Sequence, residues 1–190
     1  MKKLLLPFVT LVFCLVAQHI SAQKVFLKAD PLTTNGNADA AFRDYVVITS
    51  RQLGGTAETI ISGGPPRVGK PVFQNLIITK NSDILSNKLW TLMAKGTRIE
   101  DMEIVSTGLA PNGQSRVVTN KIELKDVFVA GIASSAAQGD CEAGCNGIAE
   151  SYELVYTAIK ITTYTLSNQG KWVADPSPFM YNIETGKSEF

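Results

Sequence analysis

The sequence predicts a mainly β domain with one α-helix, and three observations support this fold class. Apolar and polar residues alternate with period two over several segments rich in β-branched and aromatic residues. A single segment has its apolar residues at helical spacing instead. The chain of 190 residues is 45% hydrophobic and 18% charged, which is typical of a folded globular domain.

Six segments show the strand pattern. The clearest alternation lies in 116–129, where Ile122 and Leu124 share one face and charged residues occupy the other. This pattern predicts a strand with one buried and one solvated face, as in an antiparallel sheet. The predicted strands are 24–28, 44–50, 72–79, 99–106, 116–129 and 151–166.

The one predicted helix spans residues 82–96. Ser82 is a suitable N-cap, and Gly96 suits the C-terminal end of a helix. We expect the apolar stripe to pack on the sheet, since core packing is the common role of such a stripe. The stripe consists of Leu85, Leu89, Leu92 and Met93.

The N-terminus has the pattern of a secretory signal peptide. Lys2 and Lys3 precede an apolar run over 4–17, and the small residue Ala22 follows as a cleavage position. The run is shorter than the roughly 20 apolar residues that a membrane-spanning helix needs. We expect residues 1–22 to be removed, with an uncleaved anchor as the alternative. Residues 23–190 then form one domain with a C-terminal tail over 167–190, and the protein is periplasmic or secreted outside the cell.

Loss of the signal segment removes the only histidine, His19. The remaining 168 residues hold 16 basic and 17 acidic side chains, a net charge of −1. Without histidine, the chain has no Ser-His-Asp or Cys-His nucleophile and no histidine-ligated metal site. We therefore expect a protein that is not an enzyme; a carboxylate or Ser-Lys mechanism is the remaining catalytic alternative.

Two cysteines remain in the mature chain, Cys141 and Cys145, within a segment rich in glycine and polar residues. An even pair in an exported protein predicts a structural disulfide. Free or redox-active thiols and a metal site are the alternatives. A zinc site would need two further ligands of suitable type, and the mature chain has no other cysteine or histidine.

Other candidate motifs fail on inspection. Residues 64–70 match the first seven positions of a phosphate-binding loop, but Pro71 stands where Ser or Thr would bind magnesium. Glu100, Asp101 and Glu103 lie on an alternating strand, which favours a solvated face over a catalytic or calcium site. Basic residues are scattered without interleaved aromatic residues, so no nucleic-acid partner is expected. No cofactor and no metal are predicted.

The order of these segments resembles the Hcp family, the tube proteins of type VI secretion systems. The similar pieces are the opening strand at Val25, the Gly-rich loop to Lys70 with its following strand and helix, and the strand pair around Ile122. The long last strand and the tail at Tyr181-Asn182-Ile183 are also similar to the family. The resemblance covers nearly all of 24–190, while the signal segment is a departure from the family's pattern.

The resemblance implies a compact two-sheet β-barrel with one flanking α-helix. It also implies a homohexameric ring that stacks into tubes and transports secreted effector proteins. The long loop over 53–70 would then reach a neighbouring ring, and such a loop in a compact domain usually serves function or assembly. Its ring-stacking residues would be Gly63, Gly64, Pro65, Pro66 and Arg67. The alternative function is a monomeric secreted or surface binding module, such as an adhesin, that uses its loops and its aromatic tail.

Overall fold

The predicted fold class is confirmed by the computed structural model, which describes residues 23–30, 32, 40–61, 64–65, 67–111, 115–136 and 147–190. Within these residues the chain forms fourteen strands, one α-helix and a short 3-10 turn at Ala40–Phe42. The helix is α1, Ser86–Lys95. The strands are β1 Lys24–Asp30, β2 Val46–Ile48, β3 Ser50–Gln52, β4 Gly55–Thr56, β5 Thr59–Ile60, β6 Arg67–Val68, β7 Val72–Phe73, β8 Leu76–Asn81, β9 Ile99–Leu109, β10 Arg116–Ala136, β11 Ile148–Val155, β12 Ala158–Leu166, β13 Trp172–Ala174 and β14 Phe179–Asn182.

Strand β10 belongs to two sheets. Its first half pairs with β9 on one side and with β12 on the other, and its second half pairs with β11. The first sheet therefore has the order β2-β1-β9-β10-β12-β14, and β13 adds to the far end of β12. The second sheet has the order β10-β11-β8-β3. All of these pairings are antiparallel.

The change of partner along β10 occurs at Asp126, which has a positive φ of 46°. Thr157, between β11 and β12, donates its N–H to the carbonyl oxygen of Lys125 at 3.0 Å. Its hydroxyl donates to the Asp126 carboxylate at 3.2 Å. Arg98 holds the other carboxylate oxygen at 2.6 Å. Aspartate tolerates this backbone region better than most residues, so the corner costs less here than it would with a β-branched side chain.

The two ends of the strand path are consecutive in the chain. β2 pairs with β1 in the first sheet and β3 pairs with β8 in the second, with only Thr49 between them. The Thr49 N–H donates to the carbonyl oxygen of Thr79 at 2.7 Å. The chain itself, and not a ladder between β2 and β3, thus joins the two ends of the path around the core.

This barrel divides three of the predicted strands. The segments 44–50, 72–79 and 151–166 each become two strands instead of one. Two of the breaks, at Thr49 and at Tyr156-Thr157, lie where the chain passes from one sheet to the other. The third break separates β7 from the longer β8. Residue chemistry favours a strand throughout, but only the tertiary structure determines where a ladder changes partners.

The core fills the space between the two sheets. As predicted, Ile122 and Leu124 point inward and are buried, while the charged residues between them lie outside. The largest side chains of this core with almost no exposure are Leu27, Ile48, Leu76, Ile78, Leu85, Leu89, Ile99, Met102, Ile104 and Tyr152.

Helix α1 packs on β10 and begins later than the sequence predicts. It starts at Ser86, and Ser82 is not its N-cap. Asp83 makes the preceding turn, because its carboxylate accepts the N–H of Leu85 at 2.8 Å. The predicted end is confirmed: Gly96 has φ 60° and caps the helix through the carbonyl oxygens of Leu92 and Met93. The part of the chain that the structure describes contains no helix with the length and apolar character needed to cross a membrane.

Candidate functional site

The described residues of the predicted loop over 53–70 form most of a two-stranded arm that projects from the barrel. Within residues 53–74, β4 pairs with β7 and, further out, β5 pairs with β6. The Gly69 N–H donates to the carbonyl oxygen of Glu58 at 2.7 Å and joins these two short ladders. The arm therefore contains regular β-ladders, whereas the sequence predicted a long loop.

Apolar side chains on this arm face water. The exposed fractions are 73% for Ile61, 71% for Val68, 64% for Val72 and 48% for Ile60. Covering apolar surface of this kind stabilises an assembly by roughly 25 cal/mol per Å². Isolated exposed apolar residues are ordinary, but four on one projecting ribbon indicate a contact surface.

Three of the five predicted stacking residues lie in the described part of the arm, at its distal end. Gly64, Pro65 and Arg67 are exposed. Gly63 and Pro66 lie outside the described residues, as do Cys141, Cys145 and the whole segment 1–22. The exposed apolar residues of the arm are a feature that the sequence analysis missed, although Ile60 and Ile61 lie inside the predicted loop.

The root of the arm is fixed to the barrel. The Gln74 N–H donates to the carbonyl oxygen of Gly54 at 2.9 Å, and the Tyr156 hydroxyl donates to the carbonyl oxygen of Gln74 at 3.2 Å. Burial raises the pKa of Tyr156 to about 12. The phenol therefore remains protonated and keeps donating this hydrogen bond at neutral pH.

The outer face of the first sheet, which we call the charged face, carries alternating acidic and basic side chains. Asp101 and Glu103 belong to it, in agreement with the prediction of a solvated strand face. Each cation of this face has an acidic neighbour, so the face attracts neither cations nor anions strongly; exposed pairs of this kind also add little stability. The pairs are Lys28–Asp30 at 3.0 Å, Lys121–Glu103 at 2.8 Å, Lys121–Glu123 at 3.2 Å, Lys160–Glu123 at 3.2 Å, and Lys125–Asp101.

Tyr45 joins this face through its hydroxyl, which donates to the Glu103 carboxylate at 2.6 Å. Burial and this hydrogen bond raise the pKa of Tyr45 above its ordinary value. No group of three or more potential metal ligands occurs among the residues that the structure describes.

The outer face of the second sheet has the opposite character, and we call it the small face. It is built from small, uncharged side chains: Ser50, Thr79, Gly131, Ala133, Ser135, Ala149 and Ser151. Toward the arm it becomes apolar, with Ile77, Phe128 and Val155 each 38–39% exposed. Its one carboxylate, Glu153, accepts a hydrogen bond from the Asn75 amide at 2.7 Å. Away from Glu153, the small side chains leave room for the close approach of another protein surface.

A buried polar cluster ties helix α1 to the second sheet. Lys80 is completely buried, and its ammonium lies 2.8 Å from the Asp83 carboxylate and 3.4 Å from that of Glu150. It also donates to the Ser86 hydroxyl at 2.8 Å. The Glu150 carboxylate accepts from the hydroxyls of Ser86 at 2.5 Å and Tyr152 at 2.6 Å.

The cluster lowers the pKa of Glu150. Burial alone would raise it, but the hydrogen bonds from Ser86 and Tyr152 and the positive charge of Lys80 outweigh that effect. For Tyr152, burial and the hydrogen bond to Glu150 raise the pKa above its ordinary value. At neutral pH Glu150 therefore stays ionised and Tyr152 stays protonated, as the hydrogen bond between them requires.

The Lys80 ammonium lies 2.8 Å from the Ser86 hydroxyl, within hydrogen-bonding distance as in a Ser-Lys pair. The surroundings of the two side chains nevertheless favour a structural role. Ser86 is 2% exposed, so a substrate has no approach to its oxygen. That oxygen already accepts hydrogen bonds from Lys80 and from the Asp83 N–H, and it donates to Glu150. A nucleophile needs a free lone pair directed at an accessible site.

The sequence analysis treated Lys80 only as one of the scattered basic residues. Strand parity was the available signal, because Lys80 follows the buried residues Leu76 and Ile78 at intervals of two. Glu150 similarly shares the inward face of β11 with Tyr152. An inward-facing lysine and glutamate on neighbouring strands predict a buried pair.

Comparison with known proteins identifies the relationship. The family model described as type VI secretion system effector, Hcp, matches residues 26–163. No curated protein sequence matches the chain at a significant level.

Solved structures with this fold are similar over almost their whole length. A type six secretion system protein has 18% identity and a TM-score of 0.76, covering 88% of this chain and 100% of the other. Hcp1 from Salmonella typhimurium has 20% identity and a TM-score of 0.66, covering 88% and 99%. A type VI secretion system effector from Yersinia pestis has 13% identity and a TM-score of 0.59, covering 83% and 98%. At these identities the structures show a common fold.

Replacing Lys80 by methionine should destabilise the protein strongly. Lys80→Met leaves Glu150 buried without its cation, and loss of one partner from a buried pair costs about 3–5 kcal/mol. Urea unfolding at pH 7 measures this change. The double variant Lys80→Met/Glu150→Gln should recover a large part of the loss, because it removes the uncompensated charge as well.

The matched control is Lys171→Met, which changes an exposed lysine in the same way. Its effect should stay within about 0.5 kcal/mol. Equal losses in Lys80→Met and Lys171→Met would show that the buried cluster does not stabilise the fold.

Proposed function

Because the chain belongs to the Hcp family of type VI secretion proteins, we propose that it is a structural protein that forms homohexameric rings, which stack into a tube for effector proteins. The observation that carries this proposal is the projecting arm with four exposed apolar side chains. A surface of that kind is complete only when another protein covers it.

The small face is the proposed surface for contact between subunits within a ring. A cyclic hexamer uses two different complementary surfaces on each subunit, so the small face of one copy meets another surface of its neighbour. Small uncharged side chains lose little conformational entropy and carry no charge that must be desolvated. The charged face would require desolvation of eight ionised groups, which favours its remaining in contact with water.

The arm is the proposed contact between rings. Its distal residues Gly63, Gly64, Pro65, Pro66 and Arg67 would reach the adjacent ring, while Ile61 and Val68 supply apolar area. Two prolines in this stretch restrict the backbone before assembly, which reduces the entropy lost on contact.

Transport of effectors is compatible with the charged face. Its internal pairing leaves no strong field of one sign, so a passing protein of either net charge would not be held electrostatically. A catalytic role has little support, because the mature chain would have no histidine and the pair formed by Lys80 and Ser86 is buried. The proposed function therefore needs no cofactor.

The N-terminal features give the proposed route and location. Residues 1–22 would direct export and be removed, leaving the domain 23–190 with its tail at 167–190 in the periplasm or outside the cell. There Cys141 and Cys145 would form a disulfide, since both compartments are oxidising.

A charge introduced into the small face should prevent ring formation. Ala133→Glu places a carboxylate at the centre of this face, and burying it unpaired opposes association. Sedimentation velocity and negative-stain microscopy of the mature protein should show hexameric rings for the unaltered chain and monomers for the variant. The control Ala174→Glu makes the same change on β13, away from the small face, and should leave rings intact. A strictly monomeric unaltered protein would reject the ring and favour the monomeric binding module.

Removing apolar area from the arm should separate rings from one another while the rings themselves persist. Val68→Ser exposes a hydroxyl in place of a side chain that is 71% exposed in the free subunit, so the fold should be unaffected. Electron microscopy should show single rings where the unaltered protein forms stacks. Val173→Ser, at an exposed valine of β13, is the matched control. Loss of stacking in both variants alike would contradict a specific role for the arm.

Export and the disulfide are tested on protein recovered from outside the cytoplasm. N-terminal sequencing should begin at Gln23, and the intact mass should rise only after reduction and alkylation, at Cys141 and Cys145. A chain that still begins at Met1 would contradict signal cleavage. Alkylation of the unreduced protein would contradict the disulfide.

A further inference from the structure

The C-terminal tail holds the root of the arm. Phe73 of β7 lies at this root, and its ring contacts two aromatic rings of β14. The ring centroids of Phe73 and Phe179 are 5.9 Å apart, and those of Phe73 and Tyr181 are 5.0 Å apart. We call these three residues the clasp.

A second contact joins the same two segments further along the arm. Gly186 has φ +69°, and a Cβ built there would lie 3.1 Å from both Cε and Nζ of Lys70. The end of the Lys70 side chain thus lies directly over the Gly186 backbone. The turn that presents Gly186 is ordered, since its N–H donates to the carbonyl oxygen of Asn182 at 2.9 Å and Asn182 donates to that of Lys187 at 2.8 Å.

The tail side of the clasp is part of the barrel. Tyr181 pairs with Ile159 and Phe179 with Ile161 in the ladder between β14 and β12. The Ile183 N–H adds a bond to the carbonyl oxygen of Thr157 at 2.8 Å. Tyr181 also packs against the hydrophobic core. Phe73 packs against the same core, so the clasp joins the root of the arm to the barrel through both Phe73 and Tyr181.

The arm depends on such a support because its own ladders are short. Each of its two ribbons pairs only two residues per strand. Two-stranded ribbons are at best marginally stable in water without packing against another element. The direction of the arm is consequently decided by the contacts at its root.

We propose that residues 179–186 are a positioning element for the arm: through the clasp and Gly186 they order the arm and set its direction from the barrel. The consequence for ring stacking rests on the function proposed above. The ordering of the arm rests on the contacts alone.

The test compares two substitutions of the same kind in the tail. Phe179→Ser removes one ring of the clasp, and Phe190→Ser removes a phenylalanine of similar exposure that lies over Lys125 and Lys160 on the charged face. Both side chains are exposed by more than a third, so both variants should fold. The conservative variant Phe179→Tyr keeps the aromatic ring and should behave as the unaltered protein.

Two measurements report the order of the arm. Hydrogen exchange of peptides covering 53–74, and the rate of trypsin cleavage after Arg67, should each rise roughly fivefold in Phe179→Ser, a change in line with the loss of one aromatic contact. Phe190→Ser and Phe179→Tyr should leave both rates unchanged. Equal rates in Phe179→Ser and Phe190→Ser would overturn the proposal.

Electron microscopy of the same samples tests whether the clasp affects ring stacking, independently of its effect on the order of the arm. If the unaltered protein forms stacked rings and Phe179→Ser forms single rings, the result would support the proposal that the clasp positions the arm for ring stacking. Persistent stacking despite a disordered arm would overturn that consequence. If the unaltered protein forms no stacks, the stacking role fails, while the exchange rates still decide whether the tail orders the arm.

Discussion

One strand that serves two sheets is the constraint on which this structure depends. β10 pairs with β12 up to Lys125 and with β9 up to Val127, and with β11 from Phe128 onward, so the corner at Asp126 sets the angle between the two sheets. Thr157 and Arg98 hold the Asp126 carboxylate and fix that corner. Because both sheets share this strand, each has its own outer face, and the two faces differ in character.

That division gives the two outer faces different chemical character. The first sheet presents paired charges that stay solvated, and the second presents small and apolar groups that another protein can approach closely. The arm starts where β3 leaves the second sheet and returns at β8, so it projects beside the small face. The buried Lys80 cluster holds α1 against the inner side of the same sheet and so stabilises the strands that carry the small face.

Sequence reasoning succeeded where local pattern and environment agree. Ile122 and Leu124 alternate with charged residues in a sheet that has one solvent-exposed face, so the period-two pattern alone predicted their burial. It was less accurate where a contact is distant in sequence. Lys80 reads as a surface charge until Glu150, seventy residues later, is placed beside it. The helix start was misplaced for a similar reason, because Ser86 is engaged by Lys80 and Glu150 as well as by its own turn.

The sequence by itself determined the β-rich class, the helix with its glycine end and the family resemblance. These depend on residue type, spacing and order, which are local or compositional properties. Only the tertiary structure decided where strands change sheets, that the long loop is a ribbon with exposed apolar residues, and that the tail meets its root at Phe73. Those features arise from contacts between segments that lie as much as 108 residues apart, and a local sequence pattern does not identify the partner segment.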